Sequence, residues 1–205
     1  MTHLDAAGYL PRTGMPPHRR IAAREVALTG LVLLVVGCTD TNGLPAPFFA
    51  NEVDTVSLYA LRGTALTLPS AYTLLGAQAV RTDLTTALDF AFDFDSLEAP
   101  ALYPTGAINL GQLSGVQTST TPFAAIKLAP TGGYIFDKPI TLDTGTVVLV
   151  RSRPTLCSFG VSLPLYAKLR VLAVDTTTTA RRLDFEILVD QNCGYRGLEL
   201  GLPQQ

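Results

Sequence analysis

Short segments of alternating apolar and polar residues fill the chain from Val53 onward. They are rich in Val, Ile, Leu, Thr, Tyr and Phe, and Gly, Pro, Asp or Asn separates them about every 8–12 residues. No stretch keeps the 3.6-residue periodicity of an amphipathic helix. The pattern therefore predicts that residues 52–205 form an all-β domain, an antiparallel β-sandwich of the immunoglobulin-like or jelly-roll-like kind.

The strongest strand pair is predicted for residues 166–175 and 181–190. Only one register buries the apolar side chains of both segments on one face and places opposite charges together on the other. That register pairs Asp175 with Arg181, Ala173 with Leu183, and Arg170 with Glu186.

A second hairpin is predicted for residues 139–142 and 146–152 around the turn 143–145, Asp-Thr-Gly. Residues 147–150 are apolar on both faces, which is typical of a central strand. The remaining pattern predicts strands at 54–61, 65–68, 77–81, 87–95, 124–128 and 133–136, and a helical turn at 109–113.

Ahead of this domain, three arginines at positions 19, 20 and 24 precede an uncharged run, residues 26–37, that ends at Cys38. A basic flank and a short apolar stretch are typical of a secretory signal, and the stretch is too short for a membrane-spanning helix. Its ending, Val35-Val36-Gly37-Cys38, resembles the lipobox of bacterial lipoprotein precursors. The resemblance implies cleavage between Gly37 and Cys38 and a diacylglyceryl group on the Cys38 sulfur.

This interpretation divides the chain into a signal peptide (1–37), a lipidated cysteine with a flexible tether (38–51) and the sandwich (52–205). If translation begins at Met15, the signal peptide is still intact, and residues 1–14 are then not part of the protein. Each buried methylene contributes about 0.8 kcal/mol, so two or three acyl chains hold a protein durably. The expected partner is a membrane, and the expected location is the cell envelope, with the outer membrane or its periplasmic face favoured because Thr39 rather than Asp follows the cysteine.

Two further cysteines, Cys157 and Cys193, remain in a chain expected to reach an oxidising compartment. An even number of thiols there predicts a disulfide, which would stabilise the fold by about 3–4 kcal/mol. A thiol nucleophile or metal site lacks a partner, because both histidines, His3 and His18, precede Cys38.

Composition excludes several classes of function. The formal net charge is −2 and the basic residues are scattered, so nucleic-acid binding is not expected. The part of the chain from Cys38 onward has no histidine for a Ser-His-Asp arrangement, and it has no phosphate-binding glycine loop and no cysteine or histidine spacing of a metal site. The sequence favours a protein that is not an enzyme.

The acidic strand 89–95 is the most distinct candidate for a catalytic or ligand-binding site. Alternation places Asp89, Asp93 and Asp95 on one face and three phenylalanines on the other. The carboxylates could form a face for Ca²⁺ or another ligand, whereas a solvated or salt-bridged face needs no cofactor. No metal site or cofactor is assigned beyond this calcium alternative.

The sequence thus predicts a lipid-anchored cell-envelope protein that acts as a binding or structural module, with another envelope protein or a glycan as partner. Two alternatives stay open. One is a calcium- or carbohydrate-binding module that uses Asp89, Asp93 and Asp95, and the other is a hydrolase built on carboxylates.

Overall fold

A computed structural model describes residues 43–177 and 179–203. Two five-stranded antiparallel sheets pack against each other, which confirms the predicted all-β sandwich. The signal segment, Gly37 and Cys38 lie outside the described residues.

The first sheet has the strand order β1-β12-β11-β8-β6. Its strands are β1 (Val53–Tyr59), β6 (Gly115–Ser119), β8 (Val147–Arg151), β11 (Tyr166–Asp175) and β12 (Arg182–Asp190).

The second sheet has the order β3-β2-β4-β5-β7. Its strands are β2 (Ala71–Thr73), β3 (Gln78–Val80), β4 (Phe90–Phe94), β5 (Pro100–Pro104) and β7 (Ile140–Thr141). A separate two-stranded hairpin, β9 (Thr155–Leu156) with β10 (Ser162–Leu163), lies in the connection from β8 to β11.

Aromatic side chains fill the space between the sheets. Phe90, Phe92 and Phe94 of β4 are all buried in the main core, as the predicted alternation requires. The Phe185 ring reaches them from the first sheet, with its centroid 6.1 Å from that of Phe90. Tyr72 stacks on Phe90 at 5.4 Å. This aromatic contact joins the two sheets in the middle of the sandwich.

Irregular segments cover the outer faces of both sheets. Phe123, Tyr134 and Leu198 bury part of the outer face of the first sheet. The buried Lys168 ammonium donates hydrogen bonds to the carbonyls of Phe123 (2.9 Å) and Ile126 (2.8 Å), and it stabilises this covering segment. Burial lowers the pKa of Lys168.

The register of β11 with β12 is confirmed along most of its length. Arg170 faces Glu186, and their side chains form an ion pair at 2.7 Å. A β-bulge after Val171 then shifts the pairing by one residue, so Asp175 faces Arg182 rather than the predicted Arg181. The same shift places Ala173 opposite Asp184 instead of Leu183.

The turn that joins β11 to β12 also ends one residue later than predicted. Arg181 has a left-handed backbone (φ 40°), and its N–H donates to the Thr177 carbonyl at 3.0 Å. Arg181 therefore closes the turn, and β12 begins one residue later than the alternation indicates.

The predicted hairpin around residues 143–145 is wrong. Its first half, β7, pairs with β5 in the second sheet, and its second half, β8, pairs with β11 and β6 in the first. The turn therefore carries the chain from one sheet to the other. The prediction that Val147–Val150 is central is confirmed, because β8 lies between two strands and these four residues are buried.

Three smaller predictions also need correction. Residues 65–68 form no strand, and residues 124–128 and 133–136 contribute only single bridges, at Leu128 and Ile135. The helical turn lies at Thr105–Ile108 rather than at 109–113. Among the described residues, no helix is long and apolar enough to span a membrane.

Candidate functional site

Asp89 lies just before β4 and is 1% exposed. One carboxylate oxygen accepts the amide N–H of Leu74 at 2.7 Å, and the other accepts that of Arg153 at 2.9 Å. Leu74 follows a strand of the second sheet and Arg153 follows a strand of the first. Burial raises the pKa of Asp89, and the two amide donors partly oppose that increase. Asp89 therefore connects the sheets at one end of the sandwich.

Near the other end of β4, the carboxylates of Asp93 and Asp95 accept hydrogen bonds from other groups of the protein. The Arg62 guanidinium donates to Asp93 at 2.6 Å, and Asp93 is 4% exposed. Asp95 accepts the N–H groups of Leu97 (2.8 Å) and Ala99 (2.9 Å), which fixes the turn into β5.

The acidic strand therefore does not present the exposed face that its alternation indicated. Leu61, Ile108 and Leu110 pack around the outer face of β4, so that face is covered. Asp89 and Asp95 are six residues apart in the sequence, which corresponds to about 20 Å along an extended strand. Within the described part of the chain, no three His, Cys, Asp or Glu side chains form a group that could hold a metal ion.

Cys157 and Cys193 form the predicted disulfide, with Cα atoms 5.8 Å apart. Cys157 immediately follows β9, and Cys193 lies three residues after β12. The bond therefore attaches the β9–β10 hairpin to the end of β12. Gly194 permits a close approach there, because a Cβ at this position would lie 2.7 Å from the Leu163 side chain and 3.1 Å from that of Leu44.

Residues 44–51, here called the arm, lie beside this disulfide. The Asn192 side chain accepts the N–H groups of Phe48 (2.7 Å) and Phe49 (2.9 Å) and donates to the Phe49 carbonyl at 2.8 Å. The Tyr195 hydroxyl donates to the Pro45 carbonyl at 2.8 Å. This part of the predicted tether is therefore held against the sandwich by paired hydrogen bonds.

Asp190 supports Asn192 from the interior. One Asp190 oxygen accepts both the backbone N–H (2.8 Å) and the side-chain amide (2.9 Å) of Asn192. The other oxygen has no hydrogen-bond partner among the described residues. Burial raises the pKa of Asp190 to about 6, against the opposing effect of the Asn192 donors. The buried carboxylate therefore orients the amide that holds the arm.

The arm, residues 154–165 and residues 191–195 together form what we call the uncharged end. None of these residues has an ionisable acidic or basic side chain, although the chain from Cys38 onward carries 11 basic and 15 acidic ones. A groove of about 240 Å³ runs between the three segments, and Leu75 also lines it. Apolar side chains project around it, with exposed fractions of 83% for Phe48, 72% for Leu156 and 37% for Phe159.

The uncharged end is the one site that sequence reasoning missed in this part of the molecule. Its two cysteines were predicted as a pair, but the three segments are far apart in the sequence and each resembles an ordinary loop. The available signal was the lack of charge over residues 154–165.

The chain matches no family model and no curated protein.

Proposed function

We propose that this chain is a lipid-anchored cell-envelope protein whose β-sandwich acts as a binding or structural module close to the membrane. The observation that carries the proposal is the short distance in sequence between the lipobox and the folded body. The arm begins at Leu44, six residues after Cys38, and is already hydrogen-bonded to the sandwich by Phe48. A domain that begins directly after an acylated cysteine is held at the surface of the bilayer.

The disulfide supports the export part of the proposal. Cys157 and Cys193 are joined, and disulfides persist mainly in oxidising compartments such as the periplasm. The acidic strand gives no support to a calcium-binding, carbohydrate-binding or hydrolytic role, because protein donors already satisfy Asp89, Asp93 and Asp95.

The decisive experiment is mass spectrometry of the full chain recovered from bacterial membranes, compared with the Cys38→Ala variant. We expect the wild-type chain to begin at Cys38 with a diacylglyceryl group on sulfur, and the variant to be neither acylated nor cleaved before residue 38. Alkylation without reductant should leave Cys157 and Cys193 unlabelled in the wild type. Recovery of wild-type chain with an unmodified Cys38 and the leader attached would refute the proposal.

The module role is tested by cross-linking in intact membranes. A partner protein or glycan that cross-links to the wild type should be lost in the Cys38→Ala variant, which lacks the acyl group that holds the domain at the membrane surface. A cross-linked partner recovered equally with both forms would argue against a role that depends on the anchor.

A further inference from the structure

The arm, one of the three segments of the uncharged end, is the described segment nearest in sequence to Cys38. Leu44 lies six positions after Cys38, and six extended residues span at most about 20 Å. An acyl group on Cys38 would therefore keep the arm within that distance of the bilayer surface. The register of the first sheet places the start of β1, the end of β12 and the start of β11 together at this same end.

The side chains at this end suit the boundary between lipid headgroups and acyl chains. Phe48 and Phe49 stand on the arm with ring centroids 5.1 Å apart. Phe159 is next to the tip of the β9–β10 hairpin, and Leu156 and Val161 flank it with exposed fractions of 72% and 50%. Amphipathic elements that bind membranes bury such apolar groups about 5–10 Å into the interface.

The charges that border the uncharged end favour apolar rather than electrostatic contact. Glu52 follows the arm, Arg153 precedes residues 154–165, and Asp190 and Arg196 flank residues 191–195, so acidic and basic residues border the apolar surface in equal number. Attraction of basic residues to anionic lipid falls off within a Debye length and is weakened by salt. Contact made by the uncharged end should instead be insensitive to ionic strength.

Covalent and hydrogen-bonded constraints fix the apolar groups relative to one another. The disulfide holds the hairpin, and Asn192 holds the backbone of Phe48 and Phe49. A surface that is already ordered loses little conformational entropy when it binds.

From these observations we propose that the uncharged end inserts into the interfacial region of the bilayer that carries the anchor, with phospholipid as its partner. This inference rests on the proposed lipid anchor and adds an orientation to it: the sandwich stands with Phe48, Leu156 and Phe159 towards the membrane.

The absence of tryptophan from the chain provides a direct test. Phe159→Trp and, independently, Phe48→Trp each place a single fluorophore in the uncharged end. Leu97→Trp is the matched control: Leu97 is 86% exposed and lies in the turn after β4, near the Arg181 end of β12. Each full-chain variant is purified from membranes and reconstituted in vesicles of phosphatidylethanolamine and phosphatidylglycerol with brominated acyl chains, which quench tryptophan.

We expect blue-shifted emission and several-fold stronger quenching for Phe159→Trp and Phe48→Trp than for Leu97→Trp, at low and high salt alike. Equal, weak quenching of all three would overturn the proposal. A blue shift that needs no vesicles and grows with protein concentration would also overturn it, because the occupant would be a second copy of the chain.

The same preparation separates failure of this inference from failure of the anchor. Flotation with the vesicles and the mass of the peptide that begins at Cys38 report the anchor alone. Acylated protein that floats with unquenched tryptophan at both positions refutes only the orientation. Quenching at Phe159→Trp and Phe48→Trp in protein with unmodified Cys38 supports lipid binding by the uncharged end and refutes the anchor.

Discussion

Removal of the disulfide should weaken the whole domain and release the hairpin in particular. Cys157 and Cys193 are separated by 36 positions, and closing a loop of that length in the unfolded chain contributes about 4 kcal/mol on the chain-entropy relation. Domains of this kind are stable by only about 5–15 kcal/mol in total. The double variant Cys157→Ala/Cys193→Ala should therefore lose a large share of its free energy of unfolding.

The local effect follows from how little else holds the hairpin. Strands β9 and β10 have two residues each, and within the described part of the chain they pair only with each other. Amide hydrogens of residues 155–163 should therefore exchange much faster in the double variant, while those of β11 and β12 keep most of their relative protection.

Guanidinium unfolding followed by circular dichroism measures the global effect, and hydrogen exchange with mass spectrometry measures the local one. Ser158→Ala is the matched control, since Ser158 is exposed in the same hairpin and should change stability by less than about 0.5 kcal/mol. A loss below about 1 kcal/mol in the double variant, or unchanged exchange in the hairpin, would refute this account of the disulfide.

Three further predictions concern the free energy of unfolding measured by the same denaturant titration. Burial raises the pKa of Asp190 to about 6, so its ionisation opposes folding as pH rises through that value. Between pH 5 and 7.5 the free energy of unfolding of the wild type should fall by about 1 kcal/mol, and that of Asp190→Asn should not show this fall. Parallel pH curves for the two proteins would contradict this. Phe92 is fully buried, and Phe92→Ala should lower the free energy of unfolding by about 3–5 kcal/mol. Leu97→Ala, at an exposed position, should lower it by about 0.5 kcal/mol or less. Equal losses would show that Phe92 is not in the core. Gly115→Ala should lower the free energy of unfolding by about 1–3 kcal/mol, because its Cβ would lie 2.7 Å from that of Tyr134. At Gly132 an added Cβ meets no atom within 4 Å, so Gly132→Ala should be tolerated. A larger loss for Gly132→Ala than for Gly115→Ala would refute the close approach.

The features predictable from sequence were those that depend on neighbouring residues. Alternation located the phenylalanines of β4 in the core and the pairing of Arg170 with Glu186, because period-two patterns report which face a side chain takes. The two cysteines were predicted as a pair because nothing else in the chain could use them.

The features that sequence did not predict depend on distant segments. The turn at 143–145 has the chemistry of a hairpin, but no local signal says that β7 and β8 belong to different sheets. The face of Asp89 and Asp93 was expected to be exposed, and what buries it is a set of residues from 61 to 110 that the strand itself does not specify. The uncharged end is assembled from three separate segments, so its lack of charge is divided among stretches that no local pattern connects.

The position of β1 has a consequence for the order in which the molecule can be made. Among the described strands, β1 lies at the edge of the first sheet and pairs with β12 alone, so Val53 pairs with Leu188 across almost the entire domain. β1, the first of the described strands, must therefore wait for β12, the last of them, and the loop between them is closed late and slowly. In a nascent chain threaded through a membrane amino end first, β1 would stay unpaired until β12 emerges.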